Sequence, residues 1–467
     1  MCIRDSILKL LLTLAVPVML ANILQSAYAL IDAFWVGRLG GAAVAAVSLS
    51  FPVMFLMIAL GMGLAMAGST LTAQYRGAGN DSMVSHVAAQ TLNMVGALSL
   101  ILSVLGYIFT PNLLHLIGVA PDVYAGALGF MRVSFVALLF NFTFFVFQSI
   151  MRGVGRPTLP VYIVACTVVL NFILDPLFIF GWGPVPAYGV MGAALATLGT
   201  QMLAAIAGIV VLRMGKHGIH VKRSDFIPDF TYMKRAFNLG APASVEQSAR
   251  ALGMTVLTFL IASFGTETMA AYGVGSNIMQ MVIIPAFGLS MAISTLAGQN
   301  IGAGNIERAD RIGKLGAALA FGILTGLGIL VFAFAPQIAA FFVPSDQGVI
   351  AAGAHFMRTI ALAWGFMGIQ LALTGVLRAS GNMVTAMMIT LASQWVIQFP
   401  LAYVLSTHTS LGSSGIWWAF PVNNVLTALV VVSVYARGTW KHTRLISRND
   451  KVAAKIEQEA ELEEPMR

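Results

Sequence analysis

Charge is what this chain has least of. Lys and Arg number 26 and Asp and Glu 18 in 467 residues, 9% of the chain, against about 25% in an ordinary soluble domain. A chain of this length folded in water would need two or three domains with wettable surfaces, and so few charges cannot cover them. Cysteine is nearly missing as well: Cys2 stands at the start and Cys166 inside an apolar run. Neither has a partner by spacing, which excludes a disulfide framework and a cysteine metal site. No nucleophile–base–orienter set is visible at bilayer depth, so the sequence reads as a non-enzyme without a resident cofactor. The net charge of +8 would point to nucleic acid in a soluble protein. Here the basic residues occupy short loops between apolar runs, with no basic stripe on a soluble fold, which excludes nucleic acid and favours an anionic lipid face.

What the chain has is apolar length. Hydrophobic residues make up 58% of it. Twelve runs are long enough to span a bilayer as helices, at roughly 8–36, 44–74, 86–110, 122–151, 158–181, 188–213, 233–263, 270–300, 309–335, 348–379, 384–407 and 413–437. The first is too long for the h-region of a cleavable signal peptide. Arg76, Arg152 and Arg156 follow spans two and four. Arg213, Lys216, Lys222, Arg223, Lys234 and Arg235 surround the loop after span six. Arg308, Arg311 and Lys314 follow span eight, Arg378 closes span ten, and Arg437, Lys441, Arg444 and Arg448 follow span twelve. The alternate loops hold few basic residues apart from Arg38. The positive-inside rule therefore predicts a multi-pass inner-membrane protein with both termini in the cytoplasm. The acidic tail from Ser447 reads as a solvated end.

The chain repeats itself. Pro17 and Pro242, Gly40 and Gly265, Gln74 and Gln299, and Pro111 and Pro336 all stand 225 residues apart. Gln74 leads into Gly77-Ala78-Gly79-Asn80 and Gln299 into Gly302-Ala303-Gly304-Asn305; Arg132 and Arg358, and Arg152 and Arg378, are 226 apart. An even number of spans separates the copies, so both halves enter the membrane the same way, as parallel repeats with a cavity between them. The expected organisation is an N-lobe over 1–213, a cytoplasmic linker over 214–232, a C-lobe over 233–437 and a charged tail over 438–467. The Gly-Ala-Gly-Asn segments follow membrane spans and lack the P-loop Lys and Ser/Thr; they read as tight turns, not phosphate cradles. Gly181–Gly189 reads as a rigid outer hairpin. Phe142, Phe144, Phe145 and Phe147 line either a pocket or the packed core.

Few acids fall inside spans: Asp32, Asp175 and Glu246. A carboxylate in hydrocarbon is costly, so each is a candidate for function. None has an acid at its repeat-equivalent position, which holds Leu257, Phe399 and Ala21 respectively. Asp32 reads as a coupling acid or as a helix-end acid near the headgroups. Asp175 follows Asn171 by four residues on one helix face, and Pro176 frees a backbone carbonyl beside it. Carboxylate, amide oxygen and carbonyl suit a proton or a hard cation such as Na⁺; polar packing between helices is the other reading. Glu246 and Arg250, one turn apart, read as a structural ion pair, with a coupling role as the alternative. Arg132 and Arg358 read as snorkelling at the outer interface.

These residues resemble the multidrug and toxic compound extrusion (MATE) transporters from span one to span twelve. The resemblance rests on Asp32 with Val36-Gly37-Arg38-Leu39-Gly40, on Gln74 with Gly77-Ala78-Gly79, on Gly155-Arg156-Pro157 through Asn171 and Leu174-Asp175-Pro176, and on Gly298-Gln299-Asn300-Ile301-Gly302-Ala303-Gly304. It implies an all-α membrane protein: a V-shaped pair of six-helix lobes, monomeric, working by alternating access. It implies export of cationic, lipophilic or amphiphilic compounds in exchange for H⁺ or Na⁺. Asp32, Asn171, Asp175 and Thr197 match the N-lobe cation site of the DinF-like branch, with Na⁺ a candidate at the first three. Gln25 and Tyr28 match residues facing the same cavity, and Pro17 matches the proline at which the first helix bends. The NorM-like branch uses C-lobe acids at the positions of Arg250 and Asn382, so a C-lobe cation site is not expected. A lipid-linked-sugar flippase of the wider superfamily is the alternative; it would carry extra spans and a cationic central cavity.

The orientation is open to test. After removal of both native cysteines, single cysteines at Ser224 and Ser413 should label from opposite faces of intact cells with a membrane-impermeant maleimide. Labelling of both from outside refutes the assignment.

Overall fold

A backbone in hydrocarbon has no water to bond, so it must satisfy its own N–H and C=O groups, and a helix does this locally. The computed structural model describes residues 6–215, 218–344, 346–443 and 445–446, almost all of them helical. Cys2, Lys216, Arg444, Arg448 and the acidic tail from Ser447 lie outside the described residues. The helices are α1 (Ile7–Gly37), α2 (Gly41–Gly77), α3 (Asp81–Ile117), α4 (Pro121–Gly153), α5 (Thr158–Phe180), α6 (Val190–Arg213), α7 (Phe230–Ala262), α8 (Thr266–Gly302), α9 (Ile306–Phe342), α10 (Gln347–Ala361), α11 (Trp364–Ala379), α12 (Met383–Leu391), α13 (Phe399–Thr407) and α14 (Ser413–Ala436).

These elements map onto the twelve expected spans, with two differences. The tenth span breaks by 47° between α10 and α11. No proline causes this; Gly365 sits at the break beneath Thr325 and Phe321, and Gly328 of α9 lies against the freed Ala361 carbonyl. The eleventh span contains a π turn over Ala392–Gln398, in which the Phe399 N–H reaches back to the Gln394 carbonyl. Pro400 follows directly and cannot donate to the helix, which favours this wider turn. Ten helical stretches, Met383–Thr407 among them, are long and apolar enough to cross a bilayer, and the bent pair makes an eleventh. α7 has the length, but Lys234, Arg235, Glu246 and Arg250 make it more polar than the rest.

The chain packs as two compact units, and they divide inside helices, not in the 214–232 loop. One is Leu20–Ser244; the other joins the residues up to Met19 to those from Val245 onward. The start of α1 therefore packs with the second half of the chain, and the start of α7 with the first. Met19 and Ser244 are repeat-equivalent positions. In the first unit Gly63 of α2 lies so close to the Ser244 backbone that a Cβ would overlap it; in the second, the nearest neighbour of a Cβ at Gly288 of α8 is the Met19 side chain, with the Met19 N at 3.2 Å. Close approach at glycine is how helices associate in lipid, where apolar surface gains little from leaving the solvent.

Elsewhere rings sit on glycines. Phe142 covers Gly61 and Phe147 covers Gly208, and with Phe144 both are buried. They are core side chains, not pocket lining. In the other unit Leu11, Leu14 and Ala15 join Leu289, Ile293 and Leu296, and Phe356 packs on Trp417 at 4.3 Å between centroids. Arg132 lies over Tyr107 and Arg358 over Phe332, each an arginine covering a ring at repeat-equivalent positions.

The connections follow the expected turns. Gly79 and Gly304 have φ of 79° and 85°, the left-handed region that ends a helix at little cost in glycine. The Asn80 side chain accepts the Met83 N–H at 2.8 Å and starts α3. Trp182 and Val185 exchange backbone hydrogen bonds at 3.1 and 3.2 Å, forming the hairpin expected over Gly181–Gly189. The loop before α7 is docked on α3. Gln90 donates to the Asp225 and Ile227 carbonyls at 2.7 and 2.6 Å and accepts the Asp229 N–H at 3.0 Å. The Tyr232 N–H donates to Asp229 in turn and, with His86 nearby, holds that carboxyl below the usual carboxylate range.

The glycine contacts make a prediction. Gly63→Ala should lower the melting temperature of the detergent-solubilised protein, since overpacking against backbone costs about 1–3 kcal/mol. Gly96→Ala in α3, with nothing within 4 Å of its would-be Cβ, should be neutral or stabilising, because alanine is the better helix former. Equal effects at the two positions would refute the close-approach account.

Candidate functional site

α5 carries Asn171 and Asp175 one turn apart, both 0% exposed. The Asn171 amide donates to Asp175 Oδ1 at 2.9 Å and reaches Asp32 Oδ1 at 3.4 Å. On α6, the Thr197 hydroxyl donates to Asp32 Oδ2 at 3.4 Å. The Asn171 amide stands between the two carboxyl groups. Three helices, α1, α5 and α6, thus bring all four predicted residues together inside the Leu20–Ser244 unit. Asp175 Oδ2 and Asn171 Oδ1 are buried and lack a hydrogen-bond partner among the described residues. Both are acceptors, and the Asp175 one can take a proton directly.

The other predicted residues fall around this cluster unevenly. Tyr28, one turn before Asp32, places its hydroxyl near Thr167 and Thr200 without a well-formed hydrogen bond among the described residues. Gln25 is half-buried on the same helix, and no described hydrogen bond joins it to the cluster. α1 runs unbroken through Pro17.

The predicted pair in the other unit is real but larger than expected. Glu246 is 1% exposed, and its Oε1 accepts from Arg250 at 3.3 Å, from the Thr390 hydroxyl at 3.0 Å and from Arg378. Arg378, which closes span ten as expected, is 4% exposed and stands in the last turn of α11. Its burial against Glu246 was not read, because an exposed and a buried last turn look alike in composition. Its repeat equivalence to Arg152 gave no hint either, since Ala21 stands where the partner acid would be. Asn382 bonds to Ser380 and Thr443 instead. Among the described residues no three His, Cys, Asp or Glu side chains converge as a metal centre would require.

The MatE family pattern matches residues 17–177 and again 242–404, once on each repeat. The chain belongs to the MatE family. Across 95% of its length it is 31% identical to "Probable multidrug resistance protein YoeA" of Bacillus subtilis, covering 97% of that protein. A crystal structure of a MATE protein in the bent conformation is 25% identical and superposes with a TM-score of 0.87 over 94% of this chain and 96% of that one. A MOP superfamily transporter from Pyrococcus furiosus, described for the reverse polarity of its binding pocket, is 25% identical with a TM-score of 0.86 over 94% and 97%. MatE proteins are multi-pass membrane transporters and not enzymes. Their all-helical fold is the one described above.

The Glu246 cluster predicts a stability pattern. Removing one member of a buried ion cluster leaves charge uncompensated, at a cost of about 3–5 kcal/mol. Glu246→Gln, which leaves both arginines without their carboxylate, should lower expression and melting temperature. Adding Arg378→Gln should recover part of the loss. A Glu246→Gln protein that melts like the parent but no longer transports would make Glu246 a coupling residue.

Proposed function

We propose that this protein is a secondary active multidrug exporter of the inner membrane, in which H⁺ or Na⁺ and a cationic, lipophilic substrate compete for the carboxylates of Asp32 and Asp175. The observation that carries this reading is a buried carboxyl group, Asp175, and a half-buried one, Asp32, meeting around one amide, Asn171, with acceptor atoms left unpartnered. Like charges this close repel strongly in a low dielectric, so the pair calls for one cation at a time. A proton satisfies it by bridging the carboxyls. Na⁺ would draw on Asp32, Asp175 and the Asn171 oxygen, with Thr197 orienting Asp32. Among family branches this donor set is nearest the DinF-like pattern.

The cycle follows from that competition. Facing outward, the site meets a high ion concentration; the ion neutralises the carboxylates and weakens their hold on a cationic drug, which leaves. Facing inward, the ion departs and the recharged site accepts the next drug. One proton exchanged for one monovalent drug draws only on the pH gradient, about 1.36 kcal/mol per unit. A second ion would add about 2.3 kcal/mol per 100 mV. Pro17, lacking an N–H inside α1, is the point at which ion binding near Asp32 bends the helix. Both termini face the cytoplasm, Gln25 and Tyr28 border the substrate cavity, and the working unit is a monomer among membrane lipids.

Ethidium efflux from proteoliposomes, driven by a pH gradient or a Na⁺ gradient imposed separately, tests the reading. Asp32→Asn and Asp175→Asn should fold, since the amides fit the same volume, and gradient-driven efflux should fall at least about tenfold, the loss of roughly 1.4 kcal/mol of coupling. Pro17→Ala should fold and turn over slowly. Parental efflux by the Asp32→Asn/Asp175→Asn double variant refutes the site.

A further inference from the structure

The second unit holds a cavity that the cation-coupling reading does not use. It measures about 130 Å³ and lies beside Arg250. Its polar wall includes Gln370, Gln394, Gln398 and Asn423; its apolar wall includes Tyr272, Phe287 and Trp364. Two of the amides, Gln394 and Gln398, belong to the π turn. The wider turn changes the register of the span at this depth, and such turns inside helices mark binding sites more often than chance.

The sign of this cavity is positive. Arg250 and Arg378 share a single carboxylate, Glu246, so the cluster retains one positive charge. Arg250 is the charged residue of the lining, and no acid joins it there. Glu246, which Arg250 shares with Arg378, is its ion-pair partner. The Arg250 Nε is buried without a hydrogen-bond partner among the described residues. Asn423 adds a donor: its oxygen accepts from Ser393 at 3.0 Å and Thr427 at 3.2 Å, which leaves its amide N–H₂ to face the cavity. Donors and surplus positive charge in a dry pocket are what an oxyanion requires, and an uncompensated guanidinium at this depth is costly without one. The cavity is smaller than a typical drug pocket of about 300–1,000 Å³, so it fits a headgroup, with the apolar body on the adjoining rings and methionines.

We propose that the cavity at Arg250 is a subsite for the oxyanion group, carboxylate, sulfonate or phosphate, of an amphiphile with an aromatic or aliphatic body. The assignment is independent of the Asp32–Asp175 site: a substrate bearing an anionic group meets its complement here and not there. A soluble amphiphile and an anionic lipid headgroup share this chemistry.

The test uses the full-length protein in phosphatidylcholine nanodiscs, titrated calorimetrically with 2-naphthoate and with its neutral isostere 2-naphthamide, empty nanodiscs serving as reference. Naphthoate should bind at least about tenfold more tightly, and Arg250→Gln should abolish that preference. Equal affinities in the parent, or a preference that survives Arg250→Gln, overturns the proposal. Should Arg250→Gln fail to fold, Gln394→Leu leaves the ion cluster whole and should still weaken naphthoate several-fold; unchanged affinity overturns the proposal. Adding phosphatidylglycerol to the nanodiscs separates the two sources. Competition with naphthoate assigns the subsite to lipid headgroups, and unchanged naphthoate binding assigns it to soluble amphiphiles. Failure here leaves the ethidium experiment untouched, because that assay reads the other unit.

Discussion

A charge at bilayer depth costs about 2.5–3.5 kcal/mol even on the mildest scale unless something compensates it. That constraint decides where chemistry sits in this molecule. Among the described residues, two clusters of opposing charge stand inside the helices, one in each compact unit. In the Leu20–Ser244 unit two carboxyls share one amide donor, leaving a deficit of positive charge. In the other unit two guanidiniums share one carboxylate, leaving a surplus. The two clusters are opposite in sign.

The scaffold around them is symmetric where the chemistry is not. Gly63 meets Ser244 as Gly288 meets Met19, and Arg132 covers Tyr107 as Arg358 covers Phe332. Those contacts concern helix packing at glycine and arginines over rings, which both units use at equivalent positions. The acids are different. Leu257, Phe399 and Ala21 stand where Asp32, Asp175 and Glu246 would have counterparts, and Pro400, the equivalent of Pro176, follows a π turn in place of a carboxylate. One packing plan thus supports two sites that share no chemistry.

Much of this was legible in the residues. Apolar length marked the spans, a constant offset marked the duplication, and the i,i+4 spacing of Asn171 and Asp175 put them on one face. Bringing Asp32 and Thr197 to that face took the family resemblance, since no local pattern relates α1 or α6 to α5. Other features had no local signal. A π turn leaves composition unchanged, so Ala392–Gln398 read as ordinary helix. The break at Gly365 comes from tertiary crowding and not from proline. The Arg378 partner went unread because it lies 132 positions earlier in the chain. The unit boundaries were hidden for a related reason: an apolar helix has the same pattern whichever bundle receives it.

Those boundaries bear on how the protein is made. Domains emerging from the ribosome tend to fold in order, the N-terminal part first. Leu20–Ser244 is one uninterrupted stretch and can complete its packing as soon as α7 begins to appear. The residues up to Met19 cannot do the same, because Gly288 and Leu289 of α8, which receive them, have not been synthesised. The residues up to Met19 must therefore wait in the membrane until α8 has been made, while the rest of α1 already packs in the first unit.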